Sequence, residues 1–202
     1  GTYATNSIGV NTSGATLVVS GFGFNIPSTA IVKGVDVEIE RKASSSSSLY
    51  DEDVFLRKST GSVGTDHKNS SSYWGTTDSV REYGSTTDLW GTTWTPAEIN
   101  SSSFGVALRV TNDNNSSSVT ASVDFIRITV TLSVAFGCPF EGAVDPGRVL
   151  EIARRVAATG PDEIVLADTI GVGVPSQVET LVGGVAALGA TVGAHFHNTR
   201  NT

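Results

Sequence analysis

Two histidines near the end of the sequence are the residues best suited to metal binding or catalysis. His195 and His197 are separated by one residue and follow the apolar segment Thr191–Ala194. On a β-strand, residues two apart place their side chains on the same face. Two imidazoles on one face, with a carboxylate nearby, suit a divalent metal ion. Asp168 ends an earlier apolar segment and is the acid that we expect close to this metal site.

The elements that must position these side chains lie within residues 133–202, where apolar strands alternate with amphipathic helices. Three strands are predicted, at Ser133–Phe136, Glu163–Ala167 and Thr191–His195. One helix is predicted after the N-cap Asp145, and a second opens at Pro175. Strands joined by single helices form a right-handed, parallel βαβαβ unit. The candidate residues would therefore lie at the carboxyl ends of parallel strands, where barrel enzymes keep their active sites.

Residues 1–132 have the different pattern of an all-β structure. Apolar and polar residues alternate along Val35–Glu40, Phe104–Val110 and Ile126–Leu132, as in half-buried strands. A β-bulge is expected near Phe125-Ile126, and Ser44–Ser48 is interpreted as a hairpin loop. Many short strands joined by polar turns predict an antiparallel sandwich or jelly roll. The fold prediction is thus a two-part chain, with a sandwich at 1–132 and an α/β unit at 133–202.

Two further candidate sites fall in the first part. Four aromatic residues, Tyr73, Trp74, Trp90 and Trp94, cluster in the sequence and could form a stacking platform for a glycan. Core packing is the favoured interpretation of the same residues. The acidic run Asp51–Asp53 could hold a calcium ion, although a solvated strand start is the simpler interpretation.

Composition excludes several classes of function. The 202 residues have a net charge of −7 and no basic stripe, so nucleic acid is not an expected partner. The apolar runs are too short for a membrane span. The single cysteine, Cys138, excludes an intrachain disulfide and a cysteine-rich zinc site. The absence of an initial methionine predicts a processed or trimmed product.

Three motifs in the second part resemble the 3-hydroxy-3-methylglutaryl-CoA lyase family of metal-dependent TIM-barrel lyases and acyltransferases. They are Phe136-Gly-Cys138-Pro-Phe-Glu141-Gly142, Ala167-Asp168-Thr169-Ile-Gly171-Val-Gly173-Val-Pro175 and Ala194-His195-Phe-His197-Asn-Thr-Arg200. The resemblance implies that His195 and His197 bind the catalytic metal, Mg²⁺ or Mn²⁺, and that Asp168 is an acid near the substrate. It also implies that residues 133–202 are a βαβαβ fragment of a TIM barrel.

The second part also departs from this family pattern. The family's first-strand Asp-Arg-Glu motif is missing, and its later asparagine ligand and catalytic-cysteine loop would follow Thr202. Cys138 belongs to the earlier Gly-Cys-Pro motif and is not that cysteine. We therefore expect no required cofactor, weak binding of a divalent metal at most, and no enzymatic activity. Residual metal-dependent 3-hydroxyacyl-CoA lyase activity is the alternative.

The first part resembles a β-sandwich domain that recurs in phage virion and bacterial surface proteins. The matching segments are Phe22–Pro27, Ile31–Arg41, Asp88–Pro96, Phe104–Leu108 and Val123–Val130. This resemblance implies a structural or assembly module located in a virion, outside the cell or at its surface. Its expected partner is protein, through self-association or surface assembly, with a carbohydrate-binding module as the alternative.

Overall fold

Two β-sheets carry most of the chain in the computed structural model, which describes residues 2–26, 28, 30–132, 135–138, 142–158, 160–161 and 163–197. The elements before residue 100 are β1 Ala4–Ile8, β2 Thr12–Ser13, β3 Leu17–Ser20, β4 Val32–Ala43, β5 Leu49–Lys58, β6 Gly61–Val63, β7 Ser79–Ser85 and α1 Pro96–Ile99. Those after it are β8 Gly105–Asn112, β9 Val119–Leu132, β10 Gly137–Cys138, β11 Gly142–Ala143, α2 Pro146–Ala157, β12 Glu163–Asp168, α3 Pro175–Ala186 and β13 Thr191–Phe196. The chain is mostly β, with a partial TIM-barrel-like region towards its end.

Both sheets contribute to one hydrophobic core. The first sheet has the order β13-β12-β9-β4-β7, with β1 also paired to β9, and the second has the order β2-β8-β5-β6, with β3 also paired to β8. Val35, Val37 and Ile39 of β4 are fully buried, and they share a cluster with Val54 of β5 and Leu108 of β8. The alternation seen in the sequence therefore places one face of each sheet in this core.

The connection between β4 and β5 corrects one prediction from the sequence. Ser44–Ser48 was expected to close a hairpin, yet β4 lies in the first sheet and β5 in the second. The segment therefore carries the chain across the core from one sheet to the other. The expected bulge in β9 is present at Asp124, because Glu40 pairs with Phe125 and Arg41 with Val123.

Strand β9 belongs to both parts of the chain. It runs antiparallel to β4 along most of its length, and its last residue, Leu132, pairs in parallel with Leu166 of β12. The chain continues beside β12 after this strand, because the Ala135 amide donates to the Ala167 carbonyl at 3.3 Å. Residues 133 and 134 lie outside the described residues, and Ala135-Phe136 forms a bend.

The two long helices connect the three parallel strands. Asp145 caps α2 by accepting a hydrogen bond from the Gly147 amide at 3.0 Å, as predicted from the Asp-Pro pair. Leu181 and Val185 of α3 pack with Ala153 of α2 and Leu166 of β12 in a second buried cluster. Neither helix, nor the short α1, is long and apolar enough to cross a membrane, and the described ranges contain no such segment elsewhere.

Candidate functional site

The candidate site is built on β13, at one edge of the first sheet. His195 lies near the end of this strand and is half-buried, whereas His197 follows the strand and is exposed. Their Nε2 atoms are 3.3 Å apart, and their ring centroids are 5.0 Å apart with the planes at 75°. The two side chains therefore converge, as the spacing of two residues predicts.

This separation matches what one metal ion requires of two ligands. Two metal–nitrogen bonds of about 2.0–2.1 Å, the length found for zinc, hold their nitrogens about 3.3 Å apart at a tetrahedral angle and about 2.9 Å apart at the right angle of an octahedral site. At 3.3 Å the Nε2–H of one histidine can also donate to the Nε2 of the other. When both Nε2 atoms are deprotonated, their lone pairs can be directed at the same cation. The histidine pair, His195 and His197, thus fits two positions of a divalent metal site.

The second ring nitrogen of His195 meets a residue from the first part of the chain. Its Nδ1 lies 3.4 Å from the Oγ1 of Thr86, which directly follows β7. Thr86 was not identified from the sequence, because the two residues are 109 positions apart and no local pattern links them.

Asp168 ends the adjacent strand as predicted, but its carboxylate faces the following loop. Oδ1 accepts a hydrogen bond from the Val172 amide at 3.0 Å, and Oδ2 accepts one from the Gly173 amide at 2.9 Å. Asp168 pairs in register with Phe196, so His195 lies on the opposite face of the sheet. The structure therefore does not bring Asp168 into the same cluster as the histidine pair.

The described residues place no third metal-binding side chain beside the histidine pair. Within the described part of the chain, no group of three or more His, Cys, Asp and Glu side chains could hold a metal ion. Asn198 and Arg200 of the histidine motif, and Pro139–Glu141 of the Gly-Cys-Pro motif, lie outside the described residues. The histidine pair thus supplies two ligands, and water or substrate oxygens would fill the other positions of a catalytic metal.

The aromatic residues proposed as a glycan platform do not form one surface. Trp74, Trp90 and Trp94 are buried, whereas Tyr73 is 48% exposed. The Trp90 indole N–H donates to the Val35 carbonyl at 2.8 Å, and the Trp94 indole N–H donates to the Leu89 carbonyl at 3.1 Å. The tryptophans serve as core residues, so the platform prediction conflicts with their burial.

The acid run proposed for calcium is likewise occupied by protein partners. Asp51 is fully buried and accepts hydrogen bonds from Trp74 Nε1 at 2.8 Å, Tyr83 Oη at 2.9 Å and the Asn69 amide at 3.1 Å. It also forms an ion pair with Arg41. Burial, followed by the charge of Asp51, raises the pKa of the Tyr83 hydroxyl, so that hydroxyl remains a donor. We call Arg41, Asp51, Trp74 and Tyr83 the Asp51 cluster.

The other two acids of the run also have protein partners. Glu52 accepts a hydrogen bond from Arg109 Nη2 at 2.6 Å, and Asp53 lies 3.0 Å from Arg109 Nε. The acidic run therefore contributes to three ion pairs within the protein and offers no common cation site.

A cavity of about 370 Å³ between the sheets lacks groups suited to catalysis. Its wall includes Ile8, Leu108 and Val123, which are buried apolar residues. Because β1 pairs with the start of β9 and β12 with its end, this cavity and the histidine pair belong to opposite ends of β9. Among the described residues, the histidine pair is therefore the candidate site for metal binding and catalysis.

Comparison with known proteins gives a family match over residues 98–202, to the family described as HMGL-like. The (R)-citramalyl-CoA lyase of Chloroflexus aurantiacus is 46% identical over 81 residues, which are 39% of this chain and 26% of that protein. The mitochondrial hydroxymethylglutaryl-CoA lyase of Rattus norvegicus is 40% identical over 76 residues, 37% of this chain and 23% of that protein.

A third relative is a 3-hydroxy-3-isohexenylglutaryl-CoA/hydroxy-methylglutaryl-CoA lyase of Pseudomonas aeruginosa. It is 37% identical over 76 residues, which are 37% of this chain and 25% of that protein. The chain thus spans about a quarter of the length of these three relatives. No solved structure matches the chain.

Proposed function

The chain belongs to the HMGL-like family, and on that basis we propose that it functions as a divalent-metal-dependent lyase acting on a 3-hydroxyacyl-CoA thioester. The observation that carries this proposal is the 3.3 Å separation of the His195 and His197 Nε2 atoms. Both residues lie within the family match. Lyases of this family depend on a divalent metal, and the pair has the chemistry and spacing to bind one.

The prediction of a non-enzymatic structural or assembly module is wrong. It gave most weight to the ligands missing from the family pattern and to the β-rich first part. The family match covers residues 98–202, and the relatives at 37–46% identity are named as CoA lyases. These findings indicate an enzyme and favour the lyase alternative.

The proposed reaction is the cleavage of a carbon–carbon bond. The 3-hydroxyl group of the substrate loses its proton, the C2–C3 bond breaks, and C3 becomes a carbonyl. The bonding electron pair remains with C2 as a thioester enolate, which then takes up a proton. A divalent cation would polarise the substrate's oxygens and stabilise the developing negative charge.

The contributions of the protein itself follow from the described contacts. His195 and His197 would hold the cation at the end of β13, since their Nε2 atoms converge there. Asp168 would act on the opposite face of the sheet by fixing the loop that follows β12 through two backbone amides. Its role in this proposal is to shape the strand-end loop, and it is not a metal ligand.

The substrate class is proposed from the names of the relatives. All three are named for coenzyme A thioesters, with citramalyl, hydroxymethylglutaryl or isohexenylglutaryl acyl groups. We therefore propose citramalyl-CoA and hydroxymethylglutaryl-CoA as the first substrates to test. The choice between them depends on contacts that the histidine pair alone does not define.

The test measures cleavage of both thioesters by the full chain with Mg²⁺ or Mn²⁺ and with a chelator. We expect metal-dependent turnover, reduced at least about 100-fold in His195→Ala and His197→Ala because each removes a metal ligand. Asp53→Asn is the control, since Asp53 pairs with Arg109 at 3.0 Å in the second sheet, away from the histidine pair. Absence of turnover at every metal concentration, or equal activity in all three variants, would overturn the proposal.

For residues 1–132 we propose an antiparallel sandwich of the jelly-roll type, with the boundary of the second part near Leu132. The core shared by the two sheets supports this assignment, as does the antiparallel pairing of β4 with both β7 and β9. Self-association and a location at a surface stay predictions.

A further inference from the structure

A turn from the first part of the chain reaches the histidine pair. This turn, Ser85–Asp88, begins at the last residue of β7. Its second residue, Thr86, is half-buried, and its Oγ1 lies 3.4 Å from His195 Nδ1. This distance is longer than the usual hydrogen-bond range of about 2.7–3.2 Å, as is common for catalytic contacts before the ligand binds.

The backbone of the turn is held in place by β4. The Val35 amide donates to the Asp88 carbonyl at 2.9 Å, and the Asp88 amide donates to the Ser85 carbonyl at 3.1 Å. Gly34 lies directly beneath Thr86, and a Cβ at this position would overlap the carbonyl carbon and oxygen of Thr86. The close approach needs glycine, so the position of Thr86 is set by the first sheet.

The contact between Thr86 and His195 supplies a partner that metal binding at Nε2 requires. A neutral histidine has one N–H donor and one acceptor nitrogen, so a cation bound to Nε2 leaves the proton on Nδ1. The Thr86 hydroxyl can donate or accept a hydrogen bond, and in that state its Oγ1 is the acceptor close to Nδ1–H. Nε2 is the atom that lies 3.3 Å from His197 Nε2, where a cation would bind.

We propose that Thr86 is a positioning residue whose hydroxyl accepts the Nδ1–H of His195 when Nε2 binds a divalent cation, and which thereby holds the ring in its metal-binding orientation. Outer partners of metal-bound histidines orient the ring and raise its basicity. The inference rests on the proposed function for the identity of the ligand. It assigns to the β-rich first part a share in the site, which neither the family match nor the motifs indicate.

The test is calorimetric titration of the full chain with Mn²⁺, using threonine variants that differ in the hydroxyl group. Thr86→Val keeps the shape and removes the acceptor, and it should weaken Mn²⁺ binding about 10-fold. Thr86→Ser restores the hydroxyl and should return affinity to within about twofold of the original chain. Thr87→Val is the matched control, because the Thr87 hydroxyl contacts Ser85 at 3.5 Å instead. Equal affinity of Thr86→Val and the original chain would overturn the proposal.

A second measurement separates this inference from the proposed lyase function. Nitrogen-15 chemical shifts of the His195 ring, recorded without metal, report whether Nδ1 is hydrogen-bonded. We expect the same Nδ1 shift in the original chain and in Thr86→Ser, and a changed shift in Thr86→Val, because only a hydroxyl can hydrogen-bond to Nδ1. If the chain binds no Mn²⁺, the lyase proposal fails and the Nδ1 shift alone decides whether Thr86 positions His195. An unchanged Nδ1 shift in Thr86→Val would overturn that role.

Discussion

The Asp51 cluster and the histidine pair both consist of polar side chains, but they differ in burial and in their hydrogen-bond partners. Asp51 is fully buried, and both of its carboxylate oxygens accept hydrogen bonds from other residues. The two histidines lie at the edge strand of the first sheet, and their Nε2 atoms face each other at 3.3 Å. The first group has its full set of protein partners, whereas the second directs its nitrogens at a shared point.

This difference separates a stabilising cluster from a binding site. A buried charge is tolerated when an opposite charge and hydrogen bonds compensate for its desolvation. If one partner is removed, the desolvation is no longer compensated and the folded state is destabilised. Converging nitrogens near solvent gain their partner from outside, as metal ligands do. Perturbing the Asp51 cluster should therefore change stability, and perturbing the histidine pair should change ligand binding.

The largest expected effect is that of Asp51→Asn. The substitution keeps the shape of the side chain but leaves the Arg41 guanidinium buried without an opposite charge, and it weakens the bonds from Trp74 and Tyr83. We expect the free energy of unfolding, measured by chemical denaturation, to fall by about 3–5 kcal/mol.

Two controls make the Asp51→Asn experiment decisive. Asp53→Asn removes a carboxylate of the same run from a partly exposed pair with Arg109, and it should change stability by less than about 1 kcal/mol. His195→Ala should likewise leave stability almost unchanged. A similar loss in all three variants would contradict the distinction between the two groups.

The Asp51 cluster also shows which features of the fold could be predicted from the sequence. Arg41 has the same parity in β4 as Val35, Val37 and Ile39, which are all buried, so a charged residue on the core face could be predicted. Its partner Asp51 could not be identified, because β4 and β5 lie in different sheets. Local alternation indicates which face is buried but not what lies across the core.

At the histidine pair, too, features that depend on neighbouring residues could be predicted from the sequence, and contacts between distant residues could not. The spacing of His195 and His197 predicts their convergence, and the Asp145-Pro146 pair predicts the start of α2, because both depend on neighbouring residues. The contact with Thr86, 109 positions away, and the parallel pairing of Leu132 with Leu166 depend on tertiary packing. The role of β9 in both parts of the chain was therefore missed.

Gly34→Ala should lower both stability and metal affinity, and it is expected to have the next largest effect. The added Cβ meets the Thr86 backbone, so the Ser85–Asp88 turn must move away from β4. Overpacking of this kind typically costs about 1–3 kcal/mol of stability. Displacement of Thr86 should also weaken Mn²⁺ binding about 10-fold, as in Thr86→Val.

The control for Gly34→Ala is Gly75→Ala, because a Cβ on Gly75 has no neighbour closer than 3.8 Å. That variant should match the original chain in both denaturation and calorimetric titration. Loss of stability in Gly34→Ala with unchanged Mn²⁺ affinity would show that the position of the Ser85–Asp88 turn does not affect the histidine pair.

The smallest expected effect concerns Asp36, an acid on the same strand as Arg41 but with like-charged neighbours. Burial, Glu82 and Glu38 together raise the pKa of Asp36 from 3.8 to about 6. A raised pKa means that the folded state binds the proton more tightly than the unfolded state, so the stability of the fold falls as the pH rises from about 4 to about 6 and stays lower above that. Asp36→Asn should therefore raise stability at pH 7.5 by about 1–2 kcal/mol, after allowance for partial exposure.

The gain should shrink as the pH falls through 6 towards 4, which denaturation curves at several pH values can measure. A gain that is independent of pH would mean that Asp36 acts through packing and not through its charge. In that case, the charge on β4 that affects stability would be that of Arg41 in the Asp51 cluster.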